Sequence, residues 1–316
     1  MSLKRNSAKT IIDTAGATNG GARRFLLELQ DYLQRHPRED VRLIGGERLS
    51  STWLVQREWQ ALGAKKIALN NASFFGPIGE RTVLLRNALH FASEEEFAQL
   101  GYTPSEHMRK QIPVIRALAH RADRIVVPCH AMAERVAKHA PKLEDRIQVR
   151  MHPVSPRGWA EMQPENDLIL VPIVPQSYKR LDLHIPALLE AVEQSATKVA
   201  VTAFPGDIPE ADGHPNYQPI GLMPAEDLAQ WWGRAKAIFF PPTLESFGYA
   251  LAEARCGGRA VIAPDSQQNR EIAGGALSAY GADSTLAQAT AHALQANIPA
   301  EPEPFDPDAY FDWLLG

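Results

Sequence analysis

Short apolar runs alternate with longer amphipathic stretches along most of the chain. Residues 9–15 (Lys-Thr-Ile-Ile-Asp-Thr-Ala) predict a strand, and Asn19-Gly20-Gly21 interrupts it. Phe25, Leu26, Leu29 and Leu33 then fall at helical spacing, with Asp31, Gln34 and Arg35 between them. Residues 41–44 predict the next strand and 53–62 the next helix. Two further strands are expected at 82–85 and 125–127, a helix at about 131–139 and a strand at 147–149. Alternation of this kind favours a parallel sheet covered on both faces.

The pattern breaks at Met151-His152-Pro153-Val154-Ser155-Pro156-Arg157-Gly158, where two prolines and a glycine argue against any regular element. It then restarts with strands at 168–174, 198–203, 237–240 and 260–263, and with helices at 181–192, around 225–232 and after Glu245. A second Rossmann-like unit is therefore expected. The tail at 308–315 is too apolar for a free end and predicts a docked helix. The expected division is an N-terminal Rossmann-like domain at 1–155, a C-terminal one at 156–302 and a terminal helix at 303–316. A chain of 316 residues is long enough for two such cores.

At 45% hydrophobic and 22% charged residues the composition is that of a globular protein and excludes a disordered chain. The opening Met1-Ser2-Leu3-Lys4-Arg5-Asn6 is followed by no apolar stretch of signal-peptide or membrane-span length, so a cytoplasmic location is expected. Cys129 and Cys256 are the only cysteines, and no Cys or His pair has zinc-site spacing, so neither a disulfide nor a metal is expected. Charge is divided unevenly: residues 1–155 carry +8 and the rest −12, for a total of −4. Either the basic half meets an anionic partner or the two halves neutralise each other. In the first case Arg81, Arg86, Arg109, Lys110, Arg116 and Arg121 are the expected contributors. The partner would be an anionic or lipid-linked glycan, with possible peripheral contact at the inner membrane surface; nucleic acid is not expected.

The densest chemistry lies in the run from Pro241 to Ala254, which contains Glu245-Ser246-Phe247-Gly248-Tyr249 and, eight residues after the first glutamate, Glu253. With a strand ending near Phe240 and a helix starting near Phe247, Glu245 sits in the connecting loop and Glu253 about two turns into the helix. Amides at a helix N-terminus beside a small Gly248 can receive a diphosphate, because several N–H donors and the helix dipole face the anion. Carboxylates instead accept from sugar hydroxyls. The combination suggests a ligand that is both phosphorylated and rich in hydroxyls.

This segment resembles the Glu-x7-Glu motif of the retaining GT-B glycosyltransferases, family 4 in particular, and Gly257-Gly258-Arg259-Ala260-Val261-Ile262-Ala263 continues the likeness. The resemblance implies two Rossmann-like domains facing across a cleft, with the terminal helix packing back on the first. It implies transfer of a hexose-type sugar from a nucleoside diphosphate sugar with retained configuration and without metal or other cofactor. Glu245 would contact the donor hexose and Glu253 the ribose hydroxyls. Ser246, Phe247, Gly248 and Tyr249 would lie at the donor phosphates.

Gly20-Gly21-Ala22-Arg23-Arg24 is similar to the family's N-terminal Gly-Gly loop, which approaches the donor phosphate, and 122–128 with 147–149 to its run into the linker. Ser177-Tyr178-Lys179-Arg180-Leu181-Asp182 is similar to the loop that carries an arginine and then a lysine toward the diphosphate. Lys179 fits the lysine, but residues 171–176 contain no cation, so Arg180 or a group from the basic half would have to substitute, or both Lys179 and Arg180 are surface charges. Lys179 and Glu245 are the expected catalytic pair. Leu85-Arg86-Asn87-Ala88-Leu89-His90-Phe91 resembles a segment of some members and offers Arg86, Asn87 and His90 to an acceptor. Phe74-Phe75-Gly76-Pro77 reads as an acceptor wall or as core. A nucleotide-sugar epimerase, a sugar phosphorylase or a degenerate nucleotide-sugar binder would share this architecture.

Overall fold

The computed structural model describes residues 9–46, 48–156 and 158–316; the opening residues 1–8 and Arg157 of the interdomain stretch lie outside them. The described chain forms two compact units. One holds the residues up to Ser93, Thr103–Pro153 and Asp306–Gly316; the other holds Glu94–Tyr102 and Val154–Phe305. Residues 94–102, although early in sequence, thus group with the later unit.

The elements run β1 (Thr10–Asp13), α1 (Gly20–Arg35), β2 (Val41–Ile44), α2 (Ser51–Gln60), β3 (Lys65–Ala68), β4 (Arg81–Leu84), α3 (Glu94–Gln99), α4 (Glu106–Ala119), β5 (Arg124–Val127), α5 (His130–His139) and β6 (Ile147–Val149). They continue β7 (Leu168–Val171), α6 (Leu181–Ala191), β8 (Lys198–Val201), β9 (Tyr217–Pro219), α7 (Ala225–Arg234), β10 (Ala237–Phe239) and α8 (Tyr249–Cys256). The last are β11 (Ala260–Pro264), α9 (Gln267–Ala273), β12 (Leu277–Tyr280), α10 (Leu286–Gln295) and α11 (Pro307–Leu315).

Strands β1 to β6 form one sheet in the order β2-β1-β3-β4-β5-β6, and β7 to β12 form another in the order β12-β11-β10-β7-β8-β9. Every pairing is parallel. Central strands such as β1 and β7 are buried along their whole length, which is why they read as unbroken apolar runs rather than as alternating ones. The helix starts are fixed locally. Ser50 accepts from the Trp53 amide, Ser105 from the Met108 amide, and Thr285 with Gln288 completes a reciprocal cap on α10.

Helix α11 docks within the first unit. Phe25 of α1 meets Tyr310 and Phe311 edge to face, with ring centroids 5.5 Å apart in both cases. The Tyr32 hydroxyl donates to Asp312 Oδ1 at 2.5 Å, and burial together with this carboxylate pushes the phenol up to about 12. Arg35 pairs with Asp308 at 2.7 Å. Among the described residues no helix is long and apolar enough to cross a membrane.

Candidate functional site

Each sheet has one place where the chain order reverses. In the second unit that place lies between β7 and β10, and in the first between β1 and β3. Connections leave such a pair of strands in opposite directions, so a crevice opens beyond their carboxyl ends. The residues that follow these four strands contain most of the expected site positions.

After β7 the chain reaches a 3-10 turn at Ser177–Lys179; after β10 it runs through Pro241-Pro242-Thr243-Leu244-Glu245 to Gly248, which caps α8. Lys179 and Glu245 meet electrostatically there. Burial lowers the Lys179 ammonium from its ordinary range and the Glu245 carboxylate raises it; burial raises Glu245, while Lys179 and the Ser246 amide lower it. Tyr178 belongs to the same cluster: burial pushes its phenol up and the Glu245 charge adds to the shift. Its ring stands edge to face with Tyr102 at 5.5 Å, so residues 94–102 supply an aromatic side chain next to the pair.

Arg180 takes a different position from Lys179. Its backbone is left-handed (φ +48°), and its guanidinium turns onto Asp182, with Nη2 donating to Oδ2 at 3.1 Å. The substitute cation suggested by the sequence is therefore engaged with a neighbouring carboxylate. Helix α8 begins at Tyr249 rather than near Phe247, and Glu253 follows the first turn rather than standing two turns in. The reason is Gly248: at φ +81° it breaks the helical path, and a Cβ there would come within 2.9 Å of the Phe240 ring. Phe247 is buried, with its ring edge to face with Tyr249 at 5.1 Å, while Ser246 is half-buried beside Glu245. Glu253 is also half-buried.

In the first unit the crevice is a cavity of about 540 Å³. Gly16 and Ala17 after β1, Asn70 and Asn71 after β3, and Arg86 and Asn87 after β4 contribute to its lining. Gly20 and Gly21 open α1, and Ala22 beside them lines the cavity. The three residues expected near an acceptor, Arg86, Asn87 and His90, all line it. Arg86 lies over the Phe25 ring at 4.7 Å, and its amide donates to Asn71 Oδ1. Asn87 Oδ1 accepts from the Leu89 amide at 3.0 Å. His90 is only 5% exposed; burial lowers it to about 4, with Gln111 raising and Arg116 lowering it further. It is a neutral imidazole at physiological pH.

No family model matches the sequence, and no curated protein matches it. Solved structures do. AviGT4, a glycosyltransferase involved in avilamycin A biosynthesis, aligns with TM-score 0.62 at 12% identity over 98% of this chain and 96% of that one. An α,α-trehalose-phosphate synthase (UDP-forming) from Burkholderia xenovorans, solved with glucose-6-phosphate, aligns with TM-score 0.62 at 10% identity over 97% and 98%. The lipopolysaccharide outer core galactosyltransferase WaaB in its apo form gives TM-score 0.57 at 12% identity over 97% of each chain. The chain has the GT-B fold. At these identities the likeness is one of fold.

Within the GT-B frame, sequence reasoning passed over the network that shapes the first crevice. Asp13 ends β1 fully buried and accepts from four donors: the Ala15 amide at 3.0 Å, Trp53 Nε1 at 3.0 Å, Arg57 Nη1 at 2.5 Å and Asn70 Nδ2 at 2.8 Å. Arg57, itself fully buried, also donates to the carbonyls of Ala72 and Ser73 and covers the Phe74 ring at 4.3 Å. Phe74 is thereby core rather than an acceptor wall, whereas Phe75 is 40% exposed. The signal was Asp13 itself, an acid inside an apolar strand.

The basic surface expected from six cations of this GT-B unit is smaller than its sequence suggested. Arg81 is bidentate on Asp123, and Arg116 donates to the carbonyls of His90 and Ala92. Arg86 covers Phe25, and Lys110 pairs with Glu106. Arg109 and Arg121 are exposed.

Proposed function

We propose that the chain is a glycosyltransferase that moves a hexose-type sugar from a nucleoside diphosphate sugar to a hydroxyl acceptor with retention of configuration. One observation carries the reading: the loops after β7 and β10, on either side of the switch point, bring Lys179 and Glu245 together, each modifying the other's titration. A half-buried cation beside a carboxylate suits a ligand whose phosphates and hydroxyls are adjacent. Two of the neighbours are named as a glycosyltransferase and a galactosyltransferase and a third as a UDP-forming trehalose-phosphate synthase solved with glucose-6-phosphate, which favours a nucleoside diphosphate leaving group and a sugar acceptor here.

In this reading Glu245 accepts from hydroxyls of the transferring sugar and Glu253 from the ribose. Lys179 and the amides of Ser246, Phe247, Gly248 and Tyr249 stabilise the leaving diphosphate, the charge-stabilising role that a metal plays elsewhere. Arg180 assists only if it leaves Asp182. Gly20 and Gly21 allow close backbone approach to the donor. The bond from the anomeric carbon to the phosphate oxygen breaks, and the acceptor oxygen bonds to the same face. The acceptor proton passes to the departing phosphate oxygen.

Thermal unfolding with UDP, GDP and ADP, and with their common sugars, tests the first step. A ligand at 100 times its Kd adds about 2.7 kcal/mol of stability. One nucleotide series is expected to stabilise the wild type and to stabilise Glu253→Ala much less. No shift from any nucleotide contradicts the reading.

A further inference from the structure

The first unit's cavity has an uneven hydrogen-bond inventory. Arg48 and Arg86 line it, and among the described residues no aspartate or glutamate does. Three asparagines line it, and each spends its side-chain oxygen on a backbone amide: Asn70 on Ala72 at 3.3 Å, Asn71 on Arg86 at 2.5 Å and Asn87 on Leu89 at 3.0 Å. A backbone N–H can only donate, so these contacts fix which end of each amide is oxygen; each oxygen keeps one lone pair, and each NH2 keeps its donors. The Asn70 NH2 already reaches Asp13, leaving those of Asn71 and Asn87. Arg48 is exposed.

His107 and Gln111 also line it, joined to each other at 3.0 Å, and His90 is the buried member of the three. Its side chain is buried, and neither ring nitrogen makes a well-formed hydrogen bond among the described residues, although the Gln111 side chain lies close enough to raise its titration. Leaving it so is unfavourable, because a buried polar group has given up its water without gaining a full replacement. A hydroxyl, which both donates and accepts, can partner either nitrogen of an uncharged imidazole.

We propose that this cavity selects a sugar bearing a negative group, a phosphate or a carboxylate, with the charge taken by Arg48 and the asparagine NH2 groups and a hydroxyl received by His90. A neutral sugar could accept from the NH2 groups but would leave the Arg48 charge without a counter-ion. That this sugar is the acceptor rests on the glycosyltransferase reading; that it binds does not.

Calorimetric titration of the full chain with glucose 6-phosphate, glucuronate, glucose and inorganic phosphate tests the proposal. At least one charged sugar is expected to bind about tenfold or more tighter than glucose, and the phosphate and carboxylate arms show which anion is preferred. Arg48→Gln should cut that ratio several-fold. Asn87→Asp keeps an oxygen for the Leu89 amide, adds a negative charge and should cut it as well. Glucose binding as tightly as both charged sugars would overturn the proposal. So would inorganic phosphate matching glucose 6-phosphate, or a ratio unmoved by both substitutions. In Glu253→Ala the ratio should persist while nucleotide binding falls, so failure of this site and failure of the donor reading are separable.

Discussion

Lys179 and Glu245 oppose, each in the other, the effect of burial on charge. Burial favours the uncharged amine and the uncharged acid, and the attraction between ammonium and carboxylate restores both charges. Lys179→Met removes the charge that lowers Glu245, so the acid limb of the pH profile of kcat/KM should move to higher pH. Glu245→Gln removes the charge that raises Lys179, so the basic limb should move to lower pH. Limbs that stay in place in both variants would show that the two groups do not act together.

The two glutamates should fail differently. Glu253→Ala is expected to weaken nucleoside diphosphate binding by about 1.5–3 kcal/mol, the range for hydrogen bonds to a charged group. Glu245→Ala should leave nucleotide binding nearly intact and lower kcat. Calorimetry with the nucleotide and initial rates with the donor sugar separate the two effects.

Asp13 and Arg57 are both fully buried, so losing one strands the other. Arg57→Met should destabilise the chain by about 3–5 kcal/mol, and replacing both partners by apolar residues should cost less than replacing Arg57 alone. Denaturant unfolding midpoints of the single and double variants measure this.

His90 links stability to acid. Its folded value of about 4 lies below the ordinary 6.5, so the unfolded chain binds the proton more readily. Its contribution is present above pH 6.5 and is lost as pH falls toward 4, up to about 3 kcal/mol in all. Buried His152 is lowered as well and acts in the same direction. His90→Gln should therefore lose less stability than the wild type between pH 7 and 4.5 in urea unfolding. Equal losses would place the acid sensitivity elsewhere.

Much of the fold was legible because parallel strands buried on both faces read as apolar runs, as at 168–171 and 125–127. Strand β3 was not legible: Lys65-Lys66 reads as surface, yet Lys66 is buried beside Glu58 at 3.5 Å, with the Phe74 ring beneath it. Strand β9 is three residues long and ends in a proline. On the donor side the resemblance pointed to Lys179 and Glu245, which lie in the segments after β7 and β10. The start of α8 did not, because it depends on how closely Gly248 approaches Phe240. Tyr102 was out of reach for another reason: its contact with Tyr178 joins residues 76 positions apart in sequence through tertiary grouping alone. The expected basic surface shrank for a similar reason, since a cation count does not reveal that Arg81 and Arg116 are engaged internally.

Sugar transfer itself is the most direct test. The full chain is incubated with the nucleotide sugar that stabilises it and with glucose 6-phosphate, glucuronate or glucose, and the product's anomeric configuration is read by NMR. We expect a glycoside of the donor's own configuration, released nucleoside diphosphate in equal amount, and a rate at least about 100-fold lower in Glu245→Gln, a barrier change of about 2.7 kcal/mol. A donor converted without any acceptor, an inverted product, or tight nucleotide binding with no product from any acceptor would contradict the account.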